Sequence, residues 1–332
     1  MRIALDAMGS DRAPSVEIEG AVGALRELEG QFRIVLVGDR ERIEAELARH
    51  EGVPAERVEI VHAPVRIEMG DSPAHAIRRK PDSSIVVGLN LLKRGEVDAF
   101  ISAGSTGAMM AGGVMILGPL KGVDRPAVGA VIPTGSGYTL LIDAGANVDT
   151  RPHHLAQFAQ LGTIYARDLM GIDQPRVGLL NIGEEPEKGD ERAVEAYRLL
   201  SASEGIDFVG NVEGRDVIHG PCDVLVCDGF VGNVLLKFYE SVSGFMIGLL
   251  RKEMEESGVE LDLRRAFRKL DYTEYGGAPL LGVNGVSIIC HGGSPPRAIR
   301  NAIRVAVQAV ERGMVAHIER QLANRAESSP SQ

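Results

Sequence analysis

Apolar and polar positions along this chain follow two alternating rhythms. Short aliphatic runs at Arg2–Asp6, Ile34–Val37, Val58–Val61, Ala99–Ile101, Leu140–Ile142, Val177–Leu180 and Val224–Val226 read as strands. Between them, Ser15–Glu29, Arg40–His50, Ser84–Arg94, His154–Met170 and Glu191–Ser201 carry the helical period. The strands are continuously apolar, which fits burial on both faces. Strands alternating with helices predict βαβ units and a mostly parallel sheet between helical layers, an α/β fold. At 332 residues the chain is long for one core, so two lobes are expected.

The text shifts to Gly, Pro and charge over Gly118–Pro126, and Val128–Ile132 with Tyr138–Ile142 flank a hairpin signal at residues 133–137. This places a first lobe over residues 1–125 and a second over 126–294, with a helical arm at about 231–270. A final helix at 295–325 is expected to return to the first lobe, followed by a disordered tail at 326–332. Ala99–Leu120 is uncharged and long enough to cross a bilayer, but its five glycines and terminal Pro119 favour a strand, a turn and a buried helix.

The net charge of −10 argues against nucleic-acid binding, so an acidic partner would need a local basic patch. The three cysteines, Cys222, Cys227 and Cys290, form no C-x-x-C pair and read as reduced core thiols. The first strand begins at Arg2 without a leader, so a cytoplasmic protein is expected. No metal motif or nucleotide fingerprint is present, and no cofactor is expected.

Ligands of open α/β sheets bind beyond the carboxyl ends of the strands, which makes the residues after each strand the candidates. They are Asp6–Asp11, Ser102–Gly107, Asp143–Asn147, Asn181–Glu185 with Lys188, Cys227–Asn233 and Cys290–Ser294. Each alone is an ordinary capped turn. The Ser102–Gly107 turn opens into a helix, whose free N–H groups suit phosphate through Ser102, Gly104, Ser105, Thr106 and Gly107, with Lys80 as a cation. Ala103–Gly107 lacks the first glycine of a nucleophile elbow, which leaves Ser105 a minor candidate nucleophile.

These segments, in this order, resemble the phosphate acyltransferases of bacterial phospholipid synthesis, from Asp6 to about Val315. The stretches that carry the resemblance are Asp6–Gly9, Ser102–Gly104 with Thr106–Ala108, Asp143–Asn147, Leu180–Glu185, Cys227–Asn233 and Gly276–Gly282. That family usually has Gly at Ser10 and Asn at Ser105, so no amide is carried over to position 105. The resemblance implies a two-lobed αβα sandwich similar to the phosphotransacetylase and isocitrate-dehydrogenase-like fold, usually dimeric. It implies transfer of a fatty acyl group from acyl carrier protein to inorganic phosphate, for use by a membrane glycerol-3-phosphate acyltransferase.

Within that reading, Lys80 or Lys188 would hold phosphate. Asn147, Asn181 or Asn233 would donate to the thioester oxyanion, worth about 3 kcal/mol if well placed. His291 or an aspartate such as Asp11 would manage the proton. Asp6, Asp143, Asp228 and Ser294 complete the expected substrate lining. Arg251, Lys252, Arg264, Arg265, Arg268 and Lys269 form a basic arm for a dimer interface, carrier protein or an anionic membrane at the inner face. The rival readings are a short-chain phosphotransacetylase using coenzyme A, a decarboxylating dehydrogenase and a non-catalytic carrier- or lipid-binding scaffold.

Overall fold

The computed structural model describes residues 1–257 and 275–328, with side chains to Leu322. Arg264, Arg265, Arg268 and Lys269 lie outside the described residues, as do the last four residues of the tail.

The chain divides into two compact units. The first comprises Met1–Pro126, Asp168–Met170 and the described residues from Tyr275; the second comprises Ala127–Arg167 and the described residues from Gly171. In the first unit, strands β1 (Arg2–Asp6), β2 (Arg33–Gly38), β3 (Val58–His62), β4 (Ala99–Ser102), β10 (Ala278–Leu281) and β11 (Val286–Ile289) run in the order β3-β2-β1-β4-β11-β10. All pair in parallel except β10, which is antiparallel to β11. Leu5 pairs with Leu36 on one side and Ile101 on the other, and all three are fully buried. Helices α1 (Ser15–Glu27), α2 (Arg40–Leu47), α3 (Pro73–Arg79), α4 (Ser84–Lys93) and α5 (Thr106–Gly112) follow these strands. The strand order reverses at β1, with β2 on one side and β4 on the other. The ends of β1 and β4 are therefore the switch point where an open sheet takes its ligand.

In the second unit, β5 (Ala127–Thr134), β6 (Gly137–Ile142), β7 (Arg176–Asn181), β8 (Asp207–Glu213) and β9 (Val224–Val226) run β5-β6-β9-β7-β8. β5 and β6 form the antiparallel hairpin that the sequence signalled, and the remaining pairs are parallel. Helices α6 (Pro152–Asp168), α7 (Glu191–Ser201) and α8 (Gly229–Ser257) complete it.

Ala99–Leu120 is a strand, a turn, α5 and a five-residue π turn at Gly113–Leu117, and no described helix is long and apolar enough to cross a membrane. One expectation needs correction. The final helix is two helices, α9 (Pro296–Glu311) and α10 (Met314–Ser328), broken where Gly313 takes φ +62°. Helix α10 also runs through residues 326–328, which the sequence placed in the tail. Three further elements escaped the pattern. β8 is interrupted by Gly210 at φ +96°, β10 is four residues long with a proline inside, and α3 lies within a charge run.

Candidate functional site

In the first unit the β1 and β4 ends are tied by a buried polar relay. Ser102 Oγ donates to Asp6 Oδ2 at 2.6 Å and accepts from Gly104 N–H at 3.0 Å, while Asp6 Oδ1 accepts from Met8 N–H at 3.0 Å. Burial pushes the Asp6 carboxyl up, against the Ser102, Ser84 and Met8 bonds that favour its charge. The two turns touch at Gly9, where a Cβ would stand 2.6 Å from Gly104 N, so any side chain there would separate them.

The 102–107 turn then enters α5. Ser105 is its N-cap, its Oγ accepting from Ala108 N–H at 3.3 Å. Thr106 and Gly107, in the first helical turn, have N–H groups that the helix itself does not use. Thr106 is exposed, and Gly107 lies against Pro73 at the start of α3.

The 290–294 loop joins this turn where Cys290 N–H donates to Ser102 O at 2.8 Å, and Lys80 and Asp11 belong to the same unit. Lys80 Nζ donates to Asp71 Oδ2 at 2.6 Å and to Arg66 O at 3.2 Å, so its charge is already paired. Arg66 donates to Gly9 O at 3.2 Å. Asp11 N–H donates to Gly292 O at 2.9 Å. A Cβ on Gly292 would lie 3.2 Å from Asp11 Oδ1, which sets that carboxylate beside the 291–293 turn. His291 is exposed and its Nδ1 accepts from Gly293 N–H at 3.1 Å, while Ser294 is buried and donates its N–H to His291 O.

The second unit repeats the design. Asp143 at the end of β6 is fully buried, and its Oδ1 accepts from the N–H groups of Val128, Gly145 and Ala146 at 2.9–3.1 Å. Its Oδ2 accepts from Asn147 N–H at 2.7 Å and Asn147 Nδ2 at 2.8 Å. Burial raises the Asp143 carboxyl against these bonds. Asp228 caps α8, accepting from Phe230 and Val231 N–H at 2.9 and 3.0 Å, and its other oxygen meets Arg192 Nη2 at 3.1 Å. The α8 start sits on the 143–147 turn so closely that a Cβ on Gly232 would fall 1.9 Å from Asp143 O.

After β7, Asn181 clamps its own loop, donating from Nδ2 to Lys188 O at 3.0 Å and accepting from Ile182 N–H at 2.8 Å. Lys188 is exposed, with its stem over Gly183. Asn233 is half-buried beside Gly145. Ile182 and Val148 expose apolar surface from their loops and Phe230 from the first turn of α8, at 81, 66 and 61% of their full areas.

The candidates thus divide by position. Asp6, Ser102, Asp143, Asn147, Asn181 and Asp228 spend their polar atoms holding the turns, while Thr106, His291, Asp11 and Lys188 are exposed and Asn233 is half-buried. Arg251 and Lys252 are exposed near the end of α8. Arg66 and Arg192 were missed by sequence reasoning. Arg192 follows the helix N-cap Asp190, a signal that marks the helix but not its reach to Asp228.

Two units of α/β sheet, each delivering glycine turns and polar side chains from its strand ends, define a ligand-binding enzyme architecture. Two solved phosphotransacetylases share the fold. The EutD enzyme of Staphylococcus aureus matches with TM-score 0.59 at 18% identity, covering 94% of each chain. The Streptococcus pyogenes enzyme matches with TM-score 0.61 at 17% identity, also covering 94% of each. The family model described as "Fatty acid synthesis protein" matches residues 1–317. Proteins named phosphate acyltransferase are 50% identical in Desulforamulus reducens, over 98% of each chain, and in Pelotomaculum thermopropionicum, over 96% of this chain and 94% of that one. The chain belongs to the phosphate acyltransferase family.

Proposed function

We propose that this enzyme moves a long-chain fatty acyl group from the thioester of acyl carrier protein to inorganic phosphate, producing an acyl phosphate for phosphatidic acid synthesis. Membership of the phosphate acyltransferase family carries the acyl-transfer reading. At residue level the supporting observation is the turn before α5. It presents the Thr106 and Gly107 N–H groups at a helix N-terminus, braced from below by Ser102 and Asp6.

In this reading a phosphate oxygen held at that turn attacks the thioester carbonyl carbon. A C–O bond forms, negative charge collects on the carbonyl oxygen, the C–S bond breaks, and the carrier thiolate leaves and takes up a proton. Lys188 and Asn233 are the second unit's candidates for charge compensation and for donation to an oxyanion. His291, with Asp11 beside it, manages the proton. Positioning and charge compensation then supply the rate. The exposed apolar residues Ile182, Val148 and Phe230 suit an acyl or pantetheine chain.

Direct transfer is favoured over an acyl-enzyme. All three cysteines are buried, and burial pushes the Cys222 and Cys290 thiols up to about 12 and Cys227 well above its ordinary value, so no thiolate is at hand. Ser105 is a buried N-cap, and among the described residues no imidazole or carboxylate hydrogen-bonds to it.

The same proposal includes a cytoplasmic homodimer that touches the inner membrane face and passes its product to a membrane glycerol-3-phosphate acyltransferase. Val234, Phe238, Phe245 and Leu249 form an exposed stripe along α8 ending near Arg251 and Lys252, which supports burial against a second copy or anionic lipid. Release of carrier thiol from palmitoyl carrier protein, assayed beside palmitoyl-CoA, tests the function. Release that depends on phosphate and prefers the carrier supports it. Preference for the coenzyme A ester points to a phosphotransacetylase, and no release from either to a scaffold.

A further inference from the structure

Glu17 is an expensive residue for its position. It sits in the second half-turn of α1 with none of its surface exposed, and among the described residues no cation pairs with it. An apolar side chain would fill the same place without desolvating a carboxyl. Its Oε1 accepts from Ser10 N–H at 2.6 Å. Its Oε2 and the Ser10 hydroxyl are both buried and both lack a hydrogen-bond partner. One residue further on, Asp11 N–H donates to Gly292 O, and the Asp11 carboxylate stands beside the 291–293 turn that His291 itself closes.

We propose that Glu17 is a positioning residue for acyl transfer, bracing the Ser10–Asp11 turn from behind so that Asp11 is held against the His291 turn. The inference rests on the proposed role of Asp11 and His291, and it adds a residue that lies outside the strand-end loops. Glu17 touches neither substrate nor the reacting atoms and acts through Ser10, whose amide is its direct hydrogen-bond donor. A carboxyl group meets this need because it sets an acceptor oxygen on a rigid helix, and that oxygen serves the N–H in either protonation state. The charged group that acts on it is Asp6 at the end of β1, which opposes its ionisation; the Cys290 thiol at the end of β11 is itself raised by Glu17 and stays neutral. One turn further along the same face of α1, the α9 side chain that packs at Gly20 is the apolar Ile299. Burial accordingly pushes the Glu17 carboxyl up to about 7.

The test compares Glu17→Met, which fills the volume without an acceptor, with Glu17→Gln, which keeps an oxygen for the Ser10 amide. Activity is followed together with thermal unfolding and amide exchange over residues 8–12. Glu17→Met is expected to melt no lower than the wild type, yet to lose at least tenfold in kcat and to exchange faster at Ser10 and Asp11. Glu17→Gln is expected to stay within about twofold of the wild type in both. A purely structural role would move activity only with the melting temperature. Glu17→Met with full kcat and unchanged exchange overturns the proposal, and so does a Glu17→Gln loss as large as that of Met. In the wild type alone, Ser10 and Asp11 amides that exchange as fast as exposed loops also overturn it. The exchange readouts do not require the proposed reaction, so failure of the brace and failure of the proposed function are told apart.

Discussion

Ser102 Oγ donates to Asp6 Oδ2 at 2.6 Å across 96 residues of sequence, joining the ends of two adjacent parallel strands in a fully buried bond. The same hydroxyl accepts from Gly104 N–H, so one small side chain sets both the spacing of β1 and β4 and the path of the turn that leads into α5. Ser102→Ala would leave the Asp6 oxygen and the Gly104 amide buried without this partner. A loss of about 1–3 kcal/mol of stability is expected in urea unfolding, with a raised KM for phosphate as the turn loosens. Unchanged stability and KM would show the bond to be dispensable.

Asp143 plays the corresponding part in the second unit, with five donors converging on its two oxygens. Asp143→Ala removes the acceptor from all of them, the buried Val128 N–H included. It is expected to cost about 3 kcal/mol or more, read as a large fall in melting temperature or as insoluble protein. A soluble variant with wild-type melting would contradict this.

Lys188 is exposed and has only its stem packed, over Gly183. Lys188→Ala should therefore leave folding intact, within about 0.5 kcal/mol for a surface change, while raising phosphate KM and lowering turnover at least tenfold. Steady-state kinetics with phosphate varied decide it, and unchanged constants remove Lys188 from the site.

Glu17 also gives stability a pH dependence. Its folded value near 7 lies above the ordinary 4.5. The folded state therefore binds the proton more tightly, and the contribution is full below about pH 4.5 and lost as pH rises through about 7. The swing is up to about 3 kcal/mol for a shift of this size. Urea unfolding across that range should show stability falling in the wild type, with the Glu17 component missing from Glu17→Gln. Identical slopes in the two proteins would contradict it.

Much of this arrangement was legible in the chain because parallel strands announce themselves. Ile34–Val37 and Ala99–Ile101 are buried on both faces and so read as unbroken apolar runs, and the residues after such strands are where a sheet can bind. Local rules could not assign work within those loops. Asp6 and Asp143 look like surface carboxylates in sequence, but tertiary packing turns both inward to hold backbone N–H groups. Lys80 is read as a free cation until Asp71, nine residues away, is folded against it. Glu17 falls in a helix whose pattern gives no reason to suspect a buried acid. Helix α3 was missed amid charge, although Ser72-Pro73 is a start signal that could have found it.

Direct attack by orthophosphate on the carrier thioester is best tried in a single turnover. Enzyme in excess over palmitoyl carrier protein is mixed rapidly with or without phosphate, and free carrier thiol and protein-bound acyl group are followed by mass spectrometry. Thiol should appear only when phosphate is present, matched by acyl phosphate, with no acylated enzyme at any time. Thiol liberated in the absence of phosphate, leaving an acyl group on the protein that phosphate then removes at the turnover rate, would contradict it.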